Sequence, residues 1–220
     1  MKWYLDFGHG GHDPGAVGNN KTQESNVVLK IGMLIKKNLE DAFEKVVTTR
    51  EDDKYYSLDH RSNKANNENC DYFVSLHMNF FKNKETKGTE VWVYNLDSKL
   101  ASLAKDLCSN LSKTLDTPNR GVKISKELAV LRKTNMPSML IEVDFISNNY
   151  VEASCSSDLY INKIANTISS ALLSFVGKSI EYEDTFYKVC IGIFNNKDNA
   201  LKLKNEAISK SFYDTYIIRN

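Results

Sequence analysis

Apolar and polar positions along the first 176 residues fall into two alternating rhythms. Short apolar runs of four to seven residues occur at Lys2–Phe7, Lys45–Thr49, Tyr72–Leu76, Gly88–Tyr94, Leu128–Leu131 and Ser138–Ile141. Their length and their Val, Ile, Tyr and Phe content predict strands. Between them lie stripes with helical spacing: Val27, Val28, Ile31, Leu34, Ile35 and Leu39 in Glu24–Glu44, then Leu100, Leu103, Ala104, Leu107 and Leu111, and finally Ile161–Phe175. A shorter helix is expected around Leu58–Asn66. Strands alternating with helices predict an α/β fold, a twisted, mostly parallel sheet covered by helices on both faces.

Glu181, Tyr182, Glu183 and Asp184 make 177–185 a polar linker, and 186–220 a small appendage. Phe186–Phe194 alternates like a strand, Asn195-Asn196 caps a helix carrying Ala200, Leu203 and Ala207, and Tyr216–Ile218 reads as a second strand, giving a β-α-β subdomain.

The first strand opens into Gly8-His9-Gly10-Gly11-His12-Asp13-Pro14-Gly15, a turn crowded with glycine. Such a turn is costly to order and lets the backbone come close to whatever His9 holds. The third strand ends at His77, and Glu24 starts the first long helix. If the two strands are neighbours, both histidines emerge at the carboxyl end of the sheet, where ligand crevices of open α/β sheets lie. Two imidazoles and a carboxylate are a set that holds catalytic zinc and leaves a fourth position open.

These residues, taken with others in order along the chain, resemble a known family. The block Asp6–Ala16, Arg61 with Ala65-Asn66, Ser75-Leu76-His77-Met78-Asn79, Gly88-Thr89-Glu90, Val130-Leu131-Arg132 and Ile141–Asn148 are similar to the zinc-dependent N-acetylmuramoyl-L-alanine amidases of the Amidase_3 type. The resemblance covers residues 1–176, the expected catalytic domain. It implies Zn2+ held by His9, Glu24 and His77, Glu142 as the catalytic carboxylate, and peptidoglycan as the substrate, cut between N-acetylmuramic acid and L-alanine. Glu142 itself follows the apolar run Ser138–Ile141 as His77 follows its own, and a partly desolvated carboxylate beside a dication suits a general base. The sequence departs from the family at Asp144, which stands where the family usually has glycine. Asp is among the better tolerated residues in a left-handed conformation, should the backbone need one there.

The tail string from Tyr187 to Ala200 resembles one repeat of the SPOR-like wall-binding module. One β-α-β repeat offers too little sheet to stand alone, so two tails are expected to join and make a homodimer. Other chemistry-bearing residues read more plainly. His12 belongs to the turn or its rim, and His60 to a solvated helix face. Asn79 either caps a turn or orients the site, and Arg61 either makes a surface ion pair or orients the substrate. Cys70, Cys108, Cys155 and Cys190 form no CxxC pair and read as reduced packing residues.

A net charge of +1 gives no reason to expect a nucleic-acid partner, and no apolar run reaches the ~18 residues of a membrane span. Six basic and five acidic residues from Glu183 to Asn220 make wall binding by charge alone implausible. Met1-Lys2-Trp3-Tyr4 enters the first strand directly, so a protein made in the cytoplasm without a signal peptide is expected, acting on the wall after release. A phage endolysin is favoured over a mother-cell autolysin. The alternatives are a zinc peptidase acting within the peptide stem, disfavoured by the lack of an H-E-x-x-H arrangement, and a non-catalytic wall-binding protein, disfavoured by the intact Glu142.

Overall fold

The computed structural model describes residues 1–96, 99–180, 191–210 and 217. The chain divides into two compact units, Met1–Glu181 and Tyr182–Asn220. The first unit is a six-stranded sheet with helices on both faces, the α/β architecture expected from the alternating rhythms. Its strands are β1 (Lys2–Phe7), β2 (Lys45–Thr48), β3 (Tyr72–Asn79), β4 (Thr89–Val93), β5 (Asn119–Ile124) and β6 (Ser138–Phe145). Their order across the sheet is β2-β1-β3-β6-β4-β5, and every pairing is parallel except β4 with β6.

Side-chain alternation sends the residues of each strand to two different cores. Trp3, Leu5 and Phe7 of β1, with Val74, Leu76, Met139 and Ile141, point to the larger core. The buried stripes of α1 (Glu24–Asp41), α3 (Ala101–Leu115) and α6 (Asp158–Phe175) cover that face. Tyr4, Phe73 and Leu140 point the other way, into a smaller core with Ala65 of α2 (Leu58–Asn67) and Val130 and Leu131 of α4 (Ala129–Arg132). This second layer is short. Further along the same face, the strands carry His77, Glu142 and Glu90, and the site lies there.

Three expectations about elements need correction. Leu128–Leu131 does not form a strand: Leu128 is the N-cap of α4, and the Ser125 hydroxyl accepts from the Glu127 and Leu128 amides to turn the chain. A four-residue apolar run fits a buried strand or a single helical turn equally well, and packing decides which. The strands expected to stop at His77 and at Ile141 continue as β3 to Asn79 and as β6 to Phe145, so His77 and Glu142 lie inside them rather than at their ends. Two elements, β5 and α5 (Asn149–Ser154), had no periodic signal, because both are short and largely polar.

Residues 177–180, which composition marks as linker, belong to the first unit. The Lys178 ammonium bonds Glu44 Oε1 at 2.6 Å and the Ala42 carbonyl at 2.8 Å, and Ile180 packs against the larger core. In the second unit, α7 (Lys197–Ser209) is capped by the Asn196 side chain, which accepts from the Asp198 amide at 2.7 Å. Ile191–Phe194 carry no strand, and the rest of the expected first tail strand lies outside the described residues. So do Tyr216 and Ile218 of the second, and Cys190. The three other cysteines are buried and unpaired, as expected of packing residues.

Candidate metal centre

Strand β1 is central, parallel to β2 on one side and to β3 on the other, and its end is where the chain turns sharply. His9, Gly10 and Gly11 have φ of 61°, 123° and 60°, three successive residues in the left-handed half of backbone space. Such a conformation is strained for histidine and persists only where the surroundings hold it. Two buried arginines hold it here. Arg61 donates to the Phe7 carbonyl at 2.9 Å and the His9 carbonyl at 2.8 Å; Arg50 donates to the Phe7, Gly8 and Ser25 carbonyls. Arg61 is also ion-paired with Asp6 at 2.7 Å, and Asp6 accepts from the Thr49 and Ser75 hydroxyls. Burial resists the Asp6 charge, but the Arg61 guanidinium and the Thr49 hydroxyl outweigh it and hold the carboxyl below its ordinary range. Arg61 is thus neither a surface ion pair nor a substrate ligand. It is a buried strut for the turn, and breaking such a pair typically costs about 3–5 kcal/mol.

The turn closes on itself, with Gly10 and Asp13 exchanging backbone hydrogen bonds of 2.8 and 3.1 Å. That aims the Asp13 carboxylate at His9 Nδ1, 2.8 Å away. The chain then runs to α1, whose N-cap Gln23 makes no side-chain cap. Instead, the Ala16 and Pro14 carbonyls accept from the amides of Glu24 and Ser25. The loop between is folded around Glu152, whose buried carboxylate accepts from the Asn20 and Thr22 amides. Glu24 is fixed in turn: its Oε2 accepts from the Ala16 amide and its Oε1 from the Met78 amide, at 2.8 and 2.9 Å.

The three expected ligands therefore meet. His77 Nδ1 is 2.9 Å from Glu24 Oε1, His9 Nε2 is 3.3 Å from Glu24 Oε2, and the imidazoles cross edge-to-face with centroids 4.9 Å apart. One donor atom from each lies within 4.8 Å of the others, the only such group of three or more ligating side chains among the described residues. A tetrahedral ion bound at about 2.0–2.1 Å spaces its donors by roughly 3.4 Å, so small side-chain adjustments suffice. Asp13 supplies the carboxylate that metal-bound histidines commonly engage through their second nitrogen. Glycine is required where the backbone approaches these rings. A Cβ on Gly8 would sit 2.4 Å from His77 Cε1, and one on Gly15 (φ 66°) 2.5 Å from His9 Cδ2 and 2.6 Å from Glu24 Oε2.

Glu142 faces His77 directly in the β3–β6 register. Its Oε2 is buried without a hydrogen-bond partner, a rare state for a carboxylate oxygen. Burial pushes its carboxyl up to about 7, with the nearby Glu24 and Glu90 charges adding to the rise and His77 opposing it. The other groups behave as a coupled set. Burial disfavours the His77 charge, but the hydrogen bond and charge of Glu24 prevail and raise it to about 9. Burial likewise resists the Glu24 charge, yet the two imidazoles hold its carboxyl far below the ordinary range.

Elsewhere the assignments sort out. His12 lies tilted against Tyr55 and stays outside the ligand group, and His60 is exposed, stacked on Tyr56. Asn79 makes the turn contact considered for it, its Oδ1 accepting from the Phe80 amide, and its Nδ2 donates to Glu90. Asp144 needs no left-handed backbone; it lies in β6 with its Oδ1 accepting from the Gly88 and Phe145 amides at 2.7 Å each. The β3–β6 register shifts at this point, so the carboxylate ties β4 to the irregular stretch of β6. Arg50, Glu152 and Asp13 carry the centre without having been singled out. Only Asp13 left a usable signal, a carboxylate four residues after a candidate ligand.

The model of the Amidase_3 family, N-acetylmuramoyl-L-alanine amidase, matches residues 4–174. This chain belongs to that family. It is 30% identical to the sporulation-specific N-acetylmuramoyl-L-alanine amidase of Bacillus subtilis (strain 168), over 100% of this chain and 86% of that protein. It is 36% identical to the endolysin of Bacillus phage SPP1, over 74% of this chain and 61% of that one. Among solved structures, the amidase AmiC2 of Nostoc punctiforme superposes with a TM-score of 0.75 at 32% identity, covering 81% of this chain and 98% of the other. The Amidase_3 match begins within β1 and ends within α6, so it spans every element that builds the centre.

Proposed function

We propose that the chain is a zinc-dependent hydrolase of peptidoglycan that cleaves the amide between N-acetylmuramic acid and L-alanine. In this reading His9, Glu24 and His77 hold the metal and Glu142 is the catalytic acid–base group. The observation that carries it is the partnerless, buried Oε2 of Glu142, opposite His77 and beside a closed group of two imidazoles and a carboxylate. Zinc bound there would supply Lewis acidity, polarising the scissile carbonyl and acidifying a water. Glu142 takes a proton from the attacking water and returns it to the leaving amine of alanine. A carboxyl whose affinity for protons lies near neutrality is suited to both halves of that transfer. Asp13 and Glu24 fix the orientation of His9, while Arg50 and Arg61 keep the turn from relaxing.

Metal uptake carries its own test. Without metal, His77 keeps a proton up to about pH 9 and must give it up to become a ligand. Zinc binding at pH 7 is therefore expected to release about one proton or more per chain, and affinity to fall roughly tenfold per pH unit on acidification. Calorimetry in buffers of different ionisation enthalpy reads the proton directly. One zinc per chain, with wall-clearing activity lost to a chelator and restored by zinc, is the companion result. Uptake without proton release, or clearing that survives full chelation, would contradict the metal assignment.

For the tail, we propose a SPOR-like wall-binding role completed by pairing of two copies. Ile193 is 91% exposed and Ile191 58%, two apolar side chains that a second copy would cover. Light scattering is expected to show a dimer for the full chain and a monomer for a chain ending at Ile180. A full-length monomer at micromolar concentration would exclude the pairing.

The sporulation-specific relative aligns over this whole chain, tail included, whereas the endolysin aligns over 74% of it. That difference supports a mother-cell autolysin over the phage endolysin favoured from the chain's compactness. Production confined to sporulating cells is the expected result; a holin gene beside this one would point back to a phage.

A further inference from the structure

The metal centre and Glu142 do not end the row of charged groups across the sheet. In the antiparallel β4–β6 pairing Glu90 stands opposite Glu142, as Glu142 stands opposite His77. Beyond Glu90, the β4–β5 register shifts: Thr89 pairs with Asn119 and Val91 with Val122, so two residues, Arg120 and Gly121, face Glu90 alone. Extra residues of this kind re-aim a side chain, and they are common beside active sites.

Glu90 is a buried hub. Its side chain is 4% exposed, and its two oxygens accept four donors: Asn79 Nδ2 at 2.8 Å, Trp92 Nε1 at 3.3 Å, Arg120 Nε at 3.0 Å and the Lys123 ammonium at 2.5 Å. The two cations are held in place on their other sides as well. The Arg120 guanidinium lies 5.0 Å over the Phe145 ring and the Lys123 ammonium 5.1 Å over Trp92. Both nevertheless remain about one-third exposed, at 38% and 34%. Arg120 spends only Nε on Glu90; among the described residues, its two terminal amino groups have no partner. Two cations share one carboxylate, so one positive charge is left over, presented by a fixed fork on β5, two strands from Glu142 on β6.

An oriented guanidinium with free terminal N–H groups is suited to bidentate binding of a carboxylate. The amidase reading, on which this inference rests, says which part of the substrate offers one. The muramoyl carboxyl is consumed in the amide that is cut, and the sugars beside it are neutral, so a carboxylate near the scissile bond belongs to the peptide. We propose that Arg120 and Lys123, organised by Glu90, form a subsite that grips a carboxylate of the peptide stem and sets the enzyme's preference for acidic over amidated stems. The side chains act in binding, not in the bond-breaking step.

The test uses the full zinc-loaded chain and two soluble substrates. One is a muramoyl peptide whose second residue bears a free α-carboxylate; the other is the same compound with that group as carboxamide. The wild type is expected to favour the acid about tenfold in kcat/KM, through a lower KM with similar kcat. Arg120→Gln and Lys123→Gln should each bring the ratio towards one, and Lys123→Arg, which keeps the charge, should retain most of it. Calorimetry with the free alanyl-glutamyl peptide acid needs no turnover and so stays informative if the amidase reading itself fails. Weaker binding to Arg120→Gln than to wild type is expected there. Equal wild-type rates on acid and amide, a variant that keeps the full preference, or peptide binding indifferent to Arg120 would each overturn the subsite.

Discussion

Glutamine in place of Glu142 is expected to leave fold and metal content intact while lowering wall hydrolysis by at least ~10², the lower range for loss of an acid–base group. The substitution conserves shape and removes the ability to take and return a proton. It should not destabilise the sheet, because the Glu142 Oε2 that it replaces has no hydrogen-bond partner to lose. Burial already pushes the carboxyl up to about 7, so an amide there removes a desolvated acid rather than a stabilising charge. Zinc analysis and thermal melting beside the activity assay separate the possibilities. If the variant loses its metal, Glu142 is a ligand; if it keeps full activity, the proton must travel through another group.

Alanine at His9 or His77 should act differently, removing most of the metal affinity and the activity with it. A three-ligand centre leaves no spare donor, and Glu24 already counts as one of the three. Gly8→Ala is a subtler version of the same experiment. It changes no ligand, yet its methyl group would need the space held by His77 Cε1, so the ring must leave its place against Glu24. We expect it to weaken zinc binding by a large factor in a protein that still folds. Full metal content in both histidine variants, measured after gel filtration, would refute the ligand set.

The site was more legible than the frame that holds it. His9 and Glu24 stand at junctions between regular elements, and His77, inside β3, follows the apolar run Tyr72–Leu76; at each, apolar periodicity gives way to a residue that packing does not ask for. Glu142 was found for the same reason, although its strand runs on to Phe145: the polar residues Glu142 and Asp144 interrupt the apolar pattern, and only the pairing with β3 shows the strand continuing. Arg50 and Arg61 could not be placed from sequence, because a buried arginine satisfied by carbonyls and an exposed one look alike until the chain is folded. Strand β5 escaped for a related reason. Its Asn119-Arg120-Gly121 start reads as a turn, and its value lies in carrying Arg120 to Glu90 rather than in any apolar face. Leu128–Leu131 shows the converse limit, an apolar run too short to say whether it is strand or helix.

The most direct test of the zinc amidase reading is fragment analysis of purified cell wall digested by the zinc-loaded protein. The account predicts new amino-terminal alanine in step with wall clearing, and no new reducing sugar ends. New amino termini from residues within the peptide stem, or new reducing ends with alanine still blocked, would contradict it.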